Sequence, residues 1–136
     1  VADKPRLEPM TFATGCCFLM PADVAREMGG FRDDYFIYGE DAELSLRMHR
    51  AGYPMYYQPA ARLLHREPPG NRLASPFATR MRDRNRRRLV RQHYGRIDRL
   101  RFALWFYPTR AVRLAQHLMK GDLAGVRAVV AGITER

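Results

Sequence analysis

The chain has 136 residues, 46% of them hydrophobic and 11% aromatic, and its 24 Lys and Arg against 14 Asp and Glu give a formal net charge of +10. That apolar mass supports a packed core and excludes a disordered chain, while the length excludes a large multidomain enzyme. No apolar run approaches the ~18 residues of a spanning helix, and no segment has the layout of a signal peptide. The chain opens VADKPRLEP without Met, so it reads as a piece of something longer.

In chain order, Val1–Pro9 is polar and proline-punctuated, a lead-in loop. Met10–Met20 (MTFATGCCFLM) is apolar with Thr, Phe and Cys and predicts a buried strand, with Gly15 marking a bulge or the close approach of another group. Adjacent Cys16 and Cys17 cannot pair in an extended strand, where neighbours face opposite ways. They read as reduced thiols of a cytoplasmic protein, small buried groups on that strand. Pro21–Met28 predicts a short helix closed by Gly29-Gly30. Phe31–Tyr38 (FRDDYFIY) is an aromatic, acidic loop. Glu40–Ala51 predicts a helix with acids in its first turn, Arg and His in its last, and Gly52 after it, the order that the helix dipole favours. Tyr53–Gln58 and Ala61–His65 predict short strands around Pro59, and Arg66–Pro76 a loop with three prolines and a glycine. Three helical patterns complete the chain: Phe77–Tyr94, closed by Gly95; Ile97–Lys120, kinked or broken at Pro108; and a last helix capped by Asp122 and running through Ile133.

Charge divides the chain. Val1–Gly70 holds 8 basic and 10 acidic residues, a net of −2, and Asn71–Arg136 holds 16 basic and 4 acidic, a net of +12. The expected organisation is therefore a near-neutral region, 1–76, followed by a basic helical extension, 77–136.

Chemistry concentrates in Tyr35-Phe36-Ile37-Tyr38-Gly39-Glu40-Asp41-Ala42-Glu43-Leu44, where an aromatic loop ends in glycine and delivers three carboxylates to a helix start. The helix N-terminus favours an ionised Asp41, and an anchored, accessible carboxylate can take a proton from a hydroxyl nucleophile. Capping and solvation alone would also place acids there. His65, at the end of a predicted strand, can bind a metal or donate to a phosphate, or simply stand as a surface histidine. His49, His93 and His117 lie on predicted helices among basic residues and suggest no special role.

From Ala13 to His65 the chain resembles the C-terminal half of the catalytic domain of family 2 glycosyltransferases, nearest the rhamnosyltransferase-like and cell-wall glycan branches. The likeness is carried by TGCCFLMP, then EMGGFRDDYFIYGEDAELSLRMHRAGY, then YYQPAARLLHRE. Gly29, Gly30, Phe31, Asp33, Phe36, Tyr38, Glu40, Asp41, Leu44, Arg47, Gly52, Pro59 and His65 fill the family's positions. Arg84-Asn85-Arg86 and the KGDLAGVRAVVAGI tail resemble the region C-terminal to this stretch in these enzymes. Glu43 stands where Asp is commoner, and Arg32-Asp33-Asp34 replaces the usual Asp-Glu. Both keep the charge.

The resemblance implies an α/β fold, a partial GT-A (Rossmann-like) domain lacking its nucleotide-binding half and followed by C-terminal helices. It implies inverting transfer from a nucleotide-sugar donor to a hydroxyl of a glycan or lipid-linked acceptor in cell-wall, O-antigen or exopolysaccharide synthesis. Asp41 would be the general base, with Glu40 positioning hydroxyls and Gly15 and Cys16 bordering the sugar pocket, where Tyr38 and Glu43 would also meet substrate. His65 would lie near Mg²⁺ or Mn²⁺, whose main Asp-x-Asp ligands belong to the missing N-terminal half. Without that half, the expectation is that the fragment turns over nothing.

Phe77–Arg101 holds ten arginines and is followed by Phe102-Ala103-Leu104-Trp105-Phe106-Tyr107. Arginine beside a Trp-bearing apolar patch suits an anionic membrane interface, here the inner face of the cell membrane, and equally a solvated basic face with the aromatics packed inward. The rival class is a nucleic-acid-binding module without catalysis. The charge fits it, but the acidic first half and the lack of any recognised nucleic-acid module speak against it.

Overall fold

A computed structural model describes residues 6–65 and 75–135. The described chain forms two compact units, one from residues 6–36 and 40–65, the other from residues 37–39 and 75–135.

The first unit is built around α2 (Glu40–Arg50). Its sheet has two antiparallel strands, β1 (Glu8–Met10) and β2 (Met55–Tyr57), in the register Glu8 to Tyr57, Pro9 to Tyr56 and Met10 to Met55. Helix α1 (Ala22–Met28) ends as the paired glycines predict. Gly29 and Gly30 both adopt positive φ, and their N–H groups bond back to Arg26 O and Ala25 O, each at 3.1 Å. A 3₁₀ turn over Asp33–Tyr35 buries the Tyr35 ring, which forms the small core with Leu44 and Met55.

Two expected strands are absent. The run Met10–Met20 leaves β1 after its first residue and becomes irregular, with a turn at Gly15-Cys16, and Phe12, Phe18 and Leu19 lie exposed. Cys16 and Cys17 are likewise exposed free thiols, not buried strand residues. The apolar composition suited a strand, but strands are buried by neighbours, and among the described residues β1 and β2 pair only with each other. For the same reason Ala61–His65 is exposed, irregular chain. The loop expected over Arg66–Pro76 lies outside the described residues except for Ser75 and Pro76, which open the next helix.

The second unit packs α3 (Pro76–His93), α4 (Arg96–Met119) and α5 (Leu123–Thr134). Ser75 caps α3 by accepting from Ala78 N, with Pro76 in the first turn. Asp122 caps α5, as expected, by accepting from Gly125 N at 2.9 Å. Helix α4 runs unbroken through Pro108, where the Thr109 hydroxyl donates to Phe106 O at 2.7 Å within the disturbed turn. Ala78, Met81, Phe106, Ala128 and Val129 make the apolar core. Gly132 lets α5 lie close on α3, since a Cβ there would sit 2.8 Å from Asp83 Cβ and 3.1 Å from the Arg80 carbonyl oxygen.

This core also encloses charge. Arg110 Nη1 donates to Asp83 Oδ1 at 2.6 Å with both residues buried, and the Arg110 guanidinium lies 4.8 Å from the Phe106 ring centre. The partners fit imperfectly, because Asp83 Oδ2 and Arg110 Nε are buried without a hydrogen-bond partner among the described residues. The arginine run is largely structural too. Arg80 pairs with Glu135, Arg82 donates to Ala78 O, Arg84 to Asn85 Oδ1, and Arg87 to the carbonyls of Gly132 and Glu135 at the end of α5. Half-burial pushes the Arg86 guanidinium below its usual pKa, with Asp83 opposing the shift.

Candidate active site

Helix α2 presents Asp41 and Ser45, one turn apart, to the irregular segment that precedes α1. Gly15 N–H donates to Asp41 Oδ2 at 3.0 Å, and Ala42 N–H donates to Oδ1 at 2.8 Å. One turn on, the buried Ser45 hydroxyl accepts from Ala13 N at 3.1 Å and bonds to Ala13 O at 3.4 Å. Two side chains four residues apart thus fasten a three-residue stretch to one helix face. The expectation of a close approach at Gly15 is met by the Asp41 carboxylate. The fit leaves room, since a Cβ on Gly15 would lie 3.5 Å from Asp41 Cβ, an ordinary contact.

Asp41 is half-buried at the positive end of the helix and takes part in no ion pair among the described residues. Each of its oxygens accepts one backbone N–H and retains a further lone pair. Glu40, the first helical residue, has its Oε2 buried without a hydrogen-bond partner among the described residues.

The other expected site residues are scattered. Cys16 is exposed beside Gly15. Glu43 is 0% exposed and receives both of its close contacts with Arg47 through Nε, at 2.8 and 2.9 Å. Arg47 also donates to Met28 O and, at 2.8 Å, to Gly30 O, so this pair holds the α1 C-terminus against α2. Tyr38 belongs to the helical unit, where the Arg82 guanidinium lies 6.0 Å from its ring centre. His65 is exposed in irregular chain, and no described contact joins it to Asp41.

Ahead of Glu40 the backbone is strained. Phe36 and Tyr38, both bulky, take φ of 60° and 65°, and Gly39 takes 103°. Left-handed backbone costs a side-chain-bearing residue about 1–2 kcal/mol. In the helical unit, Asn85 offsets this cost. Its side chain is 1% exposed, and its amide donates to Ile37 O and Tyr38 O, both at 2.8 Å. Ser45, Arg47 and Asn85 were not among the site residues read from the sequence. Ser45 was within reach, because it stands one turn from Asp41. The Asn85 clamp was not, since 47 residues separate it from Tyr38.

An open groove of about 650 Å³ runs along the strands of the first unit, lined by Met10, Phe12, His49, Tyr53 and Tyr56 among others, and neither Asp41 nor Glu40 borders it. Tyr53 caps one side by donating to Glu27 at 2.6 Å, a bond that raises the phenol above its usual pKa. A divalent cation asks for several oxygen or nitrogen ligands. Among the described residues no three His, Cys, Asp or Glu side chains gather to supply them, so these residues alone do not fit a metal site.

The family model described as "Glycosyltransferase like family 2" matches residues 6–95. Two curated relatives, from two strains of Mycobacterium tuberculosis, are named N-acetylglucosaminyl-diphospho-decaprenol L-rhamnosyltransferase. Each is 36% identical over 62 residues, which is 46% of this chain and 20% of the relative. The match therefore spans about a fifth of the length of those relatives. No solved structure matches the chain.

Proposed function

This chain belongs to the glycosyltransferase family 2-like proteins, and from that premise we propose that it forms the acceptor side of an inverting sugar transferase with Asp41 as its general base. A hydroxyl of the acceptor hydrogen-bonds to a free lone pair of the Asp41 carboxylate. As that oxygen attacks the anomeric carbon, its proton passes to Asp41, the new glycosidic bond forms, and the bond to the nucleotide diphosphate breaks on the opposite face. Inversion results from that geometry. The Gly15 and Ala42 N–H groups fix the carboxylate plane, so the base does not have to be ordered during the reaction. Glu40 positions acceptor or donor hydroxyls, and Gly15 and Cys16 border the sugar. Glu43 acts from beneath, through Arg47, by holding α2 in place.

The relatives' name suggests a rhamnosyl donor and a diphosphate-linked polyprenol acceptor, in keeping with cell-wall glycan synthesis. We assign nucleotide binding, and the main ligands of a Mg²⁺ or Mn²⁺ ion, to parts of the enzyme outside these residues. On this reading, the 136 residues alone transfer no sugar.

The observation that supports the reading is the Asp41 carboxylate held at the mouth of α2 by two backbone N–H groups, with no cationic partner among the described residues. The test is Asp41→Asn in the complete enzyme. Loss of transfer by about 10²–10⁴-fold, with donor binding and circular dichroism unchanged, is expected for removal of a general base. Transfer near the parental rate would take that role from Asp41.

A further inference from the structure

At about 100° per residue, α4 has two unlike faces. Phe106 and Arg110 point into the bundle and are buried. On the opposite side Ile97, Leu100, Leu104, Trp105, Val112 and Leu118 form a stripe running almost the whole 24-residue helix, with Leu104 69% and Trp105 54% exposed. Only Arg101, exposed and 3.5 Å from Asp98, interrupts it. Contiguous apolar surface on this scale marks an interaction site.

We propose that this stripe lies in the plane of an anionic lipid surface, with α4 parallel to the membrane. Charge selects this occupant. Exposed Arg96 and Lys120 stand at its two ends, exposed Arg101 lies within it, and Asp98 is the single acid between 96 and 120. A second copy of the chain would bring a like-charged face, since Asn71–Arg136 holds 16 basic and 4 acidic residues. An anionic headgroup layer meets the cations while its acyl boundary takes the apolar side chains, and an indole suits that boundary. Docking lies along the surface, not through it, because among the described residues no helix is long and apolar enough to cross a membrane. The inference stands apart from the base assignment, since it uses none of the residues around Asp41.

Trp105 is the single tryptophan of the chain, so its fluorescence reports on the stripe directly. With vesicles of phosphatidylcholine containing roughly one-third phosphatidylglycerol, its emission shifts to the blue and is quenched by lipids brominated on their acyl chains. Pure phosphatidylcholine vesicles give a much weaker response. Leu104→Glu, at an exposed position that leaves the fold intact by circular dichroism, weakens vesicle binding by about tenfold or more. Four results would overturn the proposal. One is sedimentation with anionic vesicles without a blue shift, which means charge contact alone. Another is a dimer that Leu104→Glu dissolves, which means a second copy covers the stripe. A third is salt-sensitive retention on duplex DNA with no vesicle binding. The fourth is membrane binding by the complete enzyme that Leu104→Glu leaves unchanged, which means another segment covers the stripe. Because none of these measurements reads transfer, failure here leaves the Asp41 test untouched.

Discussion

At the start of α2, the Asp41 carboxylate stands half-buried and is held by two backbone N–H groups, those of Gly15 and Ala42. In the helical unit the polar groups are taken inside: Asp83, Asn85 and Arg110 are buried, and most of the arginines along α3 bind carbonyls or acids of their own unit. The difference shows that net charge overstates free cationic surface. The basic half of the sequence looks like a polycation, yet the structure commits Arg80, Arg82, Arg84 and Arg87 internally and, among the described residues, leaves the apolar stripe of α4 exposed.

Among the described residues, Glu43–Arg47 in the first unit and Asp83–Arg110 in the second are ion pairs with a buried carboxylate, and the two should answer mutation differently. In the first, Arg47 serves Glu43 and two carbonyls at once. Arg47→Met takes the guanidinium away from a fully buried carboxylate and should cost about 3–5 kcal/mol in chemical denaturation, a large share of a small domain's stability. Replacing both partners, Glu43→Leu with Arg47→Met, should not restore the loss, because Met28 O and Gly30 O remain without their donor. In the second pair, Arg110→Met alone should likewise cost about 3–5 kcal/mol. The double replacement Asp83→Leu with Arg110→Met should recover most of that or exceed the parent, because this pair leaves two polar atoms unsatisfied. Equal behaviour of the two double variants would erase the contrast.

Asn85 comes next in size. Asn85→Leu strips the donors from two carbonyls in strained backbone and should cost about 2–4 kcal/mol, at the general rate of about 1–3 kcal/mol per unsatisfied buried group. Asn85→Asp should be worse, since an acceptor-only side chain would face two acceptors. A cost under about 0.5 kcal/mol, the scale of a neutral surface change, would mean that the 37–39 backbone is held by something other than this amide.

Helices α1, α2, α3 and α5 were legible because their signals are local: Gly29-Gly30 after α1, acids then bases along α2, Gly95 after α3, and Asp122 before α5. So was the meeting of Gly15 with another group. The strands were not, because a strand's burial depends on a neighbour that its own residues do not name. Met10–Met20 and Ala61–His65 had the right composition and no partner among the described residues. At Pro108 the helix continues without a break, with the buried Phe106 and Arg110 on either side of the proline. At the candidate site, the resemblance set Gly15 at the border of the sugar pocket and Asp41 in the place of the base, and the bond between them is seen only in the structure. The inward turn of Glu43 reflects its i,i+4 spacing to Arg47 and could have been read from that spacing.

The smallest effect should be set by pH. Asp122 caps α5 through Gly125 N–H and touches His117 at 2.8 Å, and these contacts hold its carboxyl below the usual value. A lowered folded pKa means that the ionised cap contributes fully above the unfolded value, about 3.9 for Asp, and is lost as pH falls through the lower folded value. Asp122→Asn keeps a capping oxygen but removes the charge beside His117. The variant should therefore be slightly less stable than the parent at neutral pH, and the gap should close in acid, below about pH 4. Denaturation midpoints measured across that range read the gap directly. A gap that stays constant from neutral pH into acid would show that the cap acts through its shape alone, and that the charge beside His117 adds nothing to the α4–α5 junction.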